Sequence, residues 1–487
     1  MERDLVGKRP SFRTDKPRSN LYRIFFWLAL ILVALGFLRQ VNRGEVISPF
    51  EPTPTPTRMP VSILQEAQAY FETGKIFDRE NPDAIDTYQK ALEINPNNAR
   101  AWAELARIQT YSATLLTSDR EKLTRLEEAL VSIDRAVELD PDDSTIHAIR
   151  AFVLDWLSSN RLVDDDRSED LLNEAELESA RAYQLDPGNH LALTFYAEVY
   201  LDQQKWSQAE QYAARAVQMA PDSMDAHRVY ATVLESIGQY RLAIEEYLKA
   251  AEINPNLTFL YISVGLNYLG LARGDPRSPL LERALEYYER AVKINEQLDV
   301  KDPLPYLEIA KAYSQMGEFF IAARNAEKAL SFDPTNPNVY GQLGIISIRS
   351  RNYEGALPIL QCAVLGCTAE ENEAALNLVD QGLLEASVPV EGLEMTNTSV
   401  AYYYVQYGTV LAFLSRPTPP ERNRCQEAYQ ILSQVRARFS DDPTMMLIVD
   451  DSEGICRNLE SPGRAGATPT PETAPTATPT PEEEPAP

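Results

Sequence analysis

The sequence has few of the residues on which enzymes and metal sites usually depend. It contains 3 histidines and 4 cysteines among 487 residues. No two cysteines form a CxxC pair, which argues against the common zinc and thioredoxin-like motifs. The sequence also has no glycine-rich phosphate loop, HExxH helix or nucleophile elbow. We therefore expect no enzymatic activity, no cofactor and no metal site.

Positive charge is scarce outside the N-terminal segment. The formal net charge is −26, yet the first 43 residues hold nine basic and three acidic side chains. The rest of the chain is therefore strongly acidic. Because such a body repels phosphate backbones at long range, we do not expect nucleic acid to be a partner.

Long apolar runs are rare as well, and the longest is bounded by Arg23 and Arg39. A membrane-spanning helix needs about 20 residues, and Tyr22 and Trp27 suit the membrane interface. We therefore predict a transmembrane signal-anchor helix over residues 21–41. The alternative is a cleaved signal peptide, although a suitable small-residue cleavage site is missing.

Most basic residues of this segment precede the apolar run, which favours a cytoplasmic N-terminus. The sequence thus predicts a single-pass protein of the cell membrane with a basic cytoplasmic tail over residues 1–20. The remainder of the chain is expected outside the cytoplasm.

Proline and threonine dominate two further segments, residues 42–59 and 461–487. Both have too few apolar residues to offset the entropy lost on ordering. We interpret the first as an extended linker and the second as a disordered tail that is rich in proline, threonine and glutamate.

An internal repeat occupies the region between these segments. Ala182, Ala216 and Ala250 are spaced by 34 residues, another alanine precedes each by seven positions, and a proline follows each by five. The same spacing ends six units, at Pro96, Pro141, Pro187, Pro221, Pro255 and Pro334. Small residues let helices approach closely, and a proline cannot continue a helix. The pattern therefore predicts antiparallel helical hairpins.

This period and residue set resemble the tetratricopeptide repeat family over most of residues 60–440. One unit shows the family pattern in His227, Tyr230, Leu234, Gly238, Ala243, Tyr247, Ala250 and Pro255. The resemblance implies an all-α, right-handed superhelical solenoid of about nine hairpins with a capping helix, over residues 60–460. Extra residues between the two helices of several units are expected to project from one edge.

The resemblance also implies that protein or peptide partners bind in a concave groove lined by the first helices. The projected groove changes from basic and aromatic, through acidic, to apolar. The partner-binding candidates are Arg100, Arg107, Tyr111, Phe152, Trp156, Phe259, Ile262, Leu266, Leu269, Leu304 and Leu307. An exposed apolar groove would mark a peptide site, but tight coiling could instead bury these side chains.

The four cysteines all lie in the last part of the array. In an oxidising compartment, Cys362 could bridge to Cys367, and Cys425 could link the last unit to the cap through Cys456. Free buried thiols are the alternative.

The function expected from these observations is a membrane-tethered, extracytoplasmic scaffold for proteins or peptides. An accessory subunit of a membrane-embedded secretion or envelope machine is the alternative, and an enzyme is the weakest interpretation. His147 and His227 occupy the early aromatic position of their units, so we expect them to pack rather than to catalyse.

Overall fold

The computed structural model describes residues 20–42, 59–78, 81–116, 119–160, 162–416, 418 and 422–460. The chain divides into two units, residues 1–59 and residues 60–487. Nearly all of the basic tail, most of the linker and the whole of the tail over 461–487 lie outside the described residues.

Helix α1 (Leu21–Asn42) forms nearly all of the described part of the first unit, and its apolar side chains from Leu21 to Phe37 are exposed. Its uncharged stretch over residues 24–38 would measure about 22 Å at about 1.5 Å per residue. That is shorter than the roughly 30 Å hydrocarbon core of a bilayer. Among the helices of the described residues, none is long and apolar enough to cross a membrane. The predicted transmembrane helix and the single-pass membrane localisation are therefore wrong.

The second unit, as far as it is described, is an array of nine helical hairpins followed by one helix. The first five hairpins are α2 (Pro60–Glu72) with α3 (Ala84–Ile94), α4 (Ala99–Ser112) with α5 (Asp119–Leu139), α6 (Ser144–Ser158) with α7 (Asp165–Leu185), α8 (His190–Asp202) with α9 (Trp206–Met219), and α10 (Met224–Ser236) with α11 (Tyr240–Ile253). The next three are α12 (Thr258–Ala272) with α13 (Leu280–Leu298), α14 (Leu304–Met316) with α15 (Phe319–Phe332), and α16 (Pro337–Arg349) with α17 (Tyr353–Val364). The ninth is α19 (Thr398–Leu414) with α20 (Cys425–Arg438), and α21 (Pro443–Glu460) closes the array.

The hairpin of α10 and α11 shows how local sequence sets each unit. The Ser223 side chain caps α10 by accepting a hydrogen bond from the Ala226 amide. Gly238 follows α10 with a φ of +79°, a left-handed conformation that favours glycine. Ala243 and Ala250 are fully buried where the helices cross. Short-range signals of this kind fix where each helix begins and ends.

The extra residues of several units take a form that the sequence analysis did not anticipate. They were expected to project as inserts between the two helices. Instead, α5 and α7 have 21 residues and α13 has 19, whereas α9 and α11 have 14. The added residues lengthen α5 and α7 at their N-terminal ends, and they lengthen α13 mainly at its C-terminal end, beyond Ala291. Their backbone hydrogen bonds are thereby satisfied within a helix.

A small insert separates the eighth hairpin from the ninth. It contains α18 (Ala369–Leu376) between two short antiparallel strands, β1 (Gly366–Cys367) and β2 (Val390–Glu391). Asn372 ties the insert together, because its amide donates to the Val388 carbonyl at 2.8 Å and its oxygen accepts from the Tyr340 hydroxyl at 3.0 Å. The sequence carries one sign of this break, since Thr368 stands where other units place the proline.

The array coils tightly enough for distant hairpins to touch. The Asn256 amide donates to the carbonyl of Thr73, 183 positions earlier, at 3.0 Å. Gly74 has a φ of +80°, and a Cβ built on it would lie 2.7 Å from the Cβ of Asn256. The first hairpin therefore contacts the turn between the fifth and sixth, which narrows the interior of the coil.

Candidate functional site

First helices of the early hairpins converge on a buried polar cluster, which we call the interior cluster. Its members are Arg107, Tyr111, Glu198, Asp225 and Arg228, and all five are buried. Arg107 pairs with Asp225 at 3.0 Å, and the Tyr111 hydroxyl donates to the same carboxylate. Arg228 forms two hydrogen bonds of 2.7 Å with the Glu198 carboxylate and donates to the Tyr111 oxygen at 3.1 Å. Helices α4, α8 and α10 are thereby joined through side chains.

The interior cluster keeps its charges although it is shielded from water. Burial by itself lowers the pKa of Arg228, but the carboxylate of Glu198 outweighs this effect and raises it well above its ordinary value. Burial raises the pKa of the Tyr111 hydroxyl, so this group stays protonated and acts as a donor. Each buried charge thus depends on its partner, and breaking one pair leaves an uncompensated charge.

Aromatic rings fill the space around the interior cluster. Tyr111 stacks on Phe259 with ring centroids 5.7 Å apart, and Phe152 stacks on Phe195 at 4.5 Å. The Trp156 indole donates to Glu198 at 3.1 Å. The concave side of the early hairpins is therefore occupied by the protein's own side chains.

The structure separates the early partner-binding candidates by accessibility. Arg107, Tyr111 and Phe152 are buried, so they offer no surface to a partner in this arrangement. Trp156 is partly buried against the core. Arg100 is the accessible member, with a side chain 81% exposed and paired to Asp143 at 3.1 Å.

The apolar candidates are similarly divided. Ile262 and Leu307 are buried, and three others are partly buried against the core, namely Phe259, Leu269 and Leu304. Leu266 is 39% exposed. These side chains therefore form no continuous exposed apolar stripe, since most of their area packs between neighbouring first helices.

An open cavity lies further along the concave side, and we call it the C-terminal groove. Its volume is about 760 Å³. Helices α14, α16 and α19 and the turn before α13 supply its walls. The lining residues are Gly274, Pro276, Lys311, Ser314, Gln315, Gln342, Ile345, Ile346, Arg349, Thr398, Ser399, Tyr402 and Tyr403. The groove positions projected from the sequence include Ile345 but none of the other lining residues.

Hydrogen-bond donors dominate the polar lining of the C-terminal groove. Lys311 contacts Glu308 at 2.6 Å, and Arg349 donates to the Ser314 hydroxyl at 3.2 Å. The buried Nε2 of Gln315 has no hydrogen-bond partner within the described structure. A ligand that brings carbonyl or carboxylate oxygens would satisfy these donors.

A recurrent hydrogen bond explains two of the three histidines. In five units, the side chain six positions after the proline contacts that proline's carbonyl oxygen. The pairs are Trp102 with Pro96, His147 with Pro141, His227 with Pro221, Tyr261 with Pro255 and Tyr340 with Pro334, at 2.8–3.0 Å. Sequence reasoning missed this contact, although the fixed spacing of proline and a ring donor could have indicated it.

The histidines add an acidic partner to this arrangement. The Nδ1 atoms of His147 and His227 contact Glu178 and Glu246. The hydrogen bond with Glu178 raises the pKa of His147. Burial lowers the pKa of His227, but its bond with Glu246 outweighs this and raises it overall. Both histidines therefore have a structural role. Both favour the charged form, because each of their ring nitrogens faces an acceptor.

The four cysteines form two pairs in the structure. Cys362 is joined to Cys367 beside β1, and Cys425 at the start of α20 is joined to Cys456 in α21. The second bond ties the last hairpin to the closing helix.

Comparison with known proteins bears on the repeats. One tetratricopeptide repeat family model matches residues 174–223 and 196–257, and another matches residues 87–130. The human Protein O-mannosyl-transferase TMTC3 is 22% identical over 268 residues, which is 54% of this chain and 27% of that protein. This chain therefore spans well under half the length of that curated relative.

Solved structures of repeat proteins are similar at a coarse level. One is the Cut9–Hcn1 hetero-tetramer of the APC/C, with 13% identity, a TM-score of 0.45, and coverage of 66% of this chain and 55% of that one. Another is TTC0263, a thermophilic TPR protein of Thermus thermophilus, with 20% identity, a TM-score of 0.35, and coverage of 43% and 99%. With its successive hairpins and the matching repeat models over residues 87–130 and 174–257, the chain contains tetratricopeptide repeats.

Proposed function

We propose that this protein is an interaction scaffold that binds an extended segment of a partner protein in the C-terminal groove. The observation that carries the proposal is the contrast between the two halves of the concave side. Rings and ion pairs of the interior cluster fill the early half, whereas the late half keeps a cavity of about 760 Å³. That volume lies within the range of about 300–1,000 Å³ that is usual for ligand sites.

The lining of the groove suits a peptide backbone. Ile345 and Tyr402 supply apolar area, and Tyr402 is 37% exposed. Arg349 and the orphan amide of Gln315 supply donors for carbonyl oxygens. A peptide laid across α14, α16 and α19 could meet both kinds of group at once.

Binding without catalysis is the function we assign to this groove. The likeness to a protein named as a mannosyl-transferase covers 27% of that protein at 22% identity. Such a partial likeness supports no transfer of its activity, because function resides in particular sites rather than in a shared repeat.

A peptide-binding screen tests the proposal. The full chain would be probed with an immobilised library of unstructured twelve-residue peptides, and hits would be measured by fluorescence polarisation. We expect hits whose affinity falls about tenfold in Arg349→Gln and Tyr402→Ala variants, the loss of about 1.4 kcal/mol.

The matched control is Arg351→Gln, which removes the same charge two positions away and outside the groove lining. It should leave affinity unchanged. A library without hits, or hits that are insensitive to both groove substitutions, would refute the assignment.

A further inference from the structure

We propose that, in the free protein, the C-terminal groove is occupied by this chain's own segment 476–487, with Glu482, Glu483 and Glu484 beside Lys311 and Arg349. This inference rests on the proposed function, since it names the first occupant of the same groove. Four observations support it: the chemistry of the segment, the charge of the groove, an unpaired donor in its lining and the length of chain that connects the segment to the groove.

The segment combines proline with acidic side chains. It reads Thr-Ala-Thr-Pro-Thr-Pro, then three glutamates, then Pro-Ala-Pro. Proline-rich sequences lose little entropy on binding and dock on aromatic surfaces. Tyr402 offers such a surface in the groove, and its neighbours Ile345 and Pro276 are apolar.

Charge favours the C-terminal groove over the rest of the molecule. The chain carries 72 acidic and 46 basic residues, so most of its surface repels an acidic segment. By contrast, no Asp or Glu belongs to the described lining of the groove. Lys311 is already bonded to Glu308, whereas Arg349 contacts a hydroxyl and has no described carboxylate within 4.0 Å.

An unsatisfied donor marks the same place independently of charge. The buried Nε2 of Gln315 has no described partner, although Gln315 lines the cavity. Leaving such a donor unpaired is costly, so an oxygen-rich occupant that the amide can turn to meet is favoured there. Backbone carbonyls of a proline-rich segment provide such oxygens. Its proline nitrogens carry no hydrogen, so they do not compete with Gln315 as donors to these carbonyls.

The connecting chain is long enough for this contact. Helix α21 packs along α19, with Ser452 and Thr409 joined at 2.9 Å and Cys456 bonded to Cys425, which begins the helix after α19. Helix α21 therefore leads towards the C-terminal end of α19, while Tyr402 lies near its N-terminal end. That separation is about 18 Å at about 1.5 Å per residue. Glu482 follows Glu460 by 22 positions, and this length of chain spans up to about 68 Å when extended at about 3.1 Å per residue.

Occupation by the same chain has a consequence for partners. An attached segment competes at an effective concentration of about millimolar, so a partner peptide must displace it. Weak peptides are therefore excluded, and peptides with stronger contacts bind.

Zero-length cross-linking tests this inference in the full chain. A carbodiimide joins a lysine amine to a carboxylate only when the two are in contact. We expect a link from Lys311 to residues 482–484 in the monomeric fraction, read by mass spectrometry. Its yield should fall severalfold in Arg349→Gln and at 1 M salt, where the screening length is about 3 Å. The link between Lys311 and Glu308 reports in every sample that Lys311 is reactive.

The outcomes separate this inference from the proposed function. The Arg351→Gln control should keep the full yield of the Lys311 link. A Lys311–Glu308 link without any link to the segment would overturn the inference, and so would a link found only in covalent dimers, where the occupant is a second copy. Library peptides that need Arg349 would still support the groove as a peptide site in either case. Conversely, a strong internal link with no library hits, even from peptides at concentrations well above the roughly millimolar effective concentration of the segment, would leave the segment as an occupant and remove the proposed function.

Discussion

Arg107 and Asp225 lie 118 positions apart in the chain and form an ion pair of 3.0 Å with both side chains buried. One belongs to the second hairpin and the other to the fifth. Neighbour contacts along an array cannot produce this pair, because three hairpin positions separate its members. The ion pair therefore forms only because the array coils tightly enough to bring the second and fifth hairpins into contact.

Replacing Asp225 by Asn should destabilise the protein by about 3–5 kcal/mol, the usual loss when one partner of a buried ion pair is removed. Arg107 would lose a neutralising charge, and the new amide would present its NH2 group to either Arg107 or the Tyr111 hydroxyl, both of which need an acceptor there. Urea unfolding followed by circular dichroism measures the change. Asp222→Asn is the control, because Asp222 is exposed in the adjacent turn. Equal effects of the two substitutions would show that the pair contributes nothing.

Tyr340, six positions after Pro334, should stabilise the folded protein through its hydroxyl group. Tyr340→Phe removes the one hydroxyl proton that the Pro334 carbonyl and the Asn372 oxygen share, each at 3.0 Å. We expect a loss of about 1–3 kcal/mol, because a buried acceptor is left without its donor. Tyr288→Phe should be neutral or stabilising, since the buried Tyr288 hydroxyl has no described partner. Thermal unfolding of the two variants tests this prediction. A larger loss of stability in Tyr288→Phe than in Tyr340→Phe would contradict it.

Two histidines should make stability depend on pH in a defined direction. The folded-state pKa of both His147 and His227 is raised, so their stabilisation is complete below the unfolded value of about 6.5. It is lost as pH rises through the higher folded-state values. The double variant His147→Tyr/His227→Tyr keeps a donor for the proline carbonyl but does not titrate there. Urea midpoints from pH 6 to 8 should fall more steeply for the natural protein, and parallel curves would refute this.

The two disulfides should differ in their contribution to stability. The Cys425–Cys456 bond closes a loop with a sequence separation of 31, and the Cys362–Cys367 bond one of 5. On the chain-entropy view, the first is worth about 4 kcal/mol and the second about 2 kcal/mol. Paired Cys→Ser variants measured by calorimetry test this order. Alkylation under non-reducing conditions tests the pairing itself, and four reactive thiols in the unfolded protein would exclude both bonds.

Part of the fold follows from short stretches of sequence. A capping side chain such as Ser223, buried alanines such as Ala243 and Ala250, and a proline after the second helix act within one hairpin. Such signals predicted the succession of hairpins. They failed at the insert with α18, because a break in a repeat does not state what replaces it. They also failed for the residues that lengthen α5 and α7, since helix and loop compete over a few kcal/mol that tertiary packing decides.

The candidate site depended on tertiary structure throughout. Periodicity predicted Arg107 and Tyr111 on the concave side, but nothing local shows that Asp225 will meet them. The transmembrane prediction for the N-terminal apolar run was also wrong, because its uncharged length is shorter than the hydrocarbon core of a membrane.

The sequence by itself determined the unit of construction: an antiparallel helical hairpin with alanines at its crossing and a proline at its end. Each of these choices acts between residues within about 34 positions, so it can be read locally. Only the tertiary structure decided how far the array coils. Small rotations between hairpins add up along the chain, and they close the interior around Arg228 and Glu198 while leaving the groove beside Arg349 open.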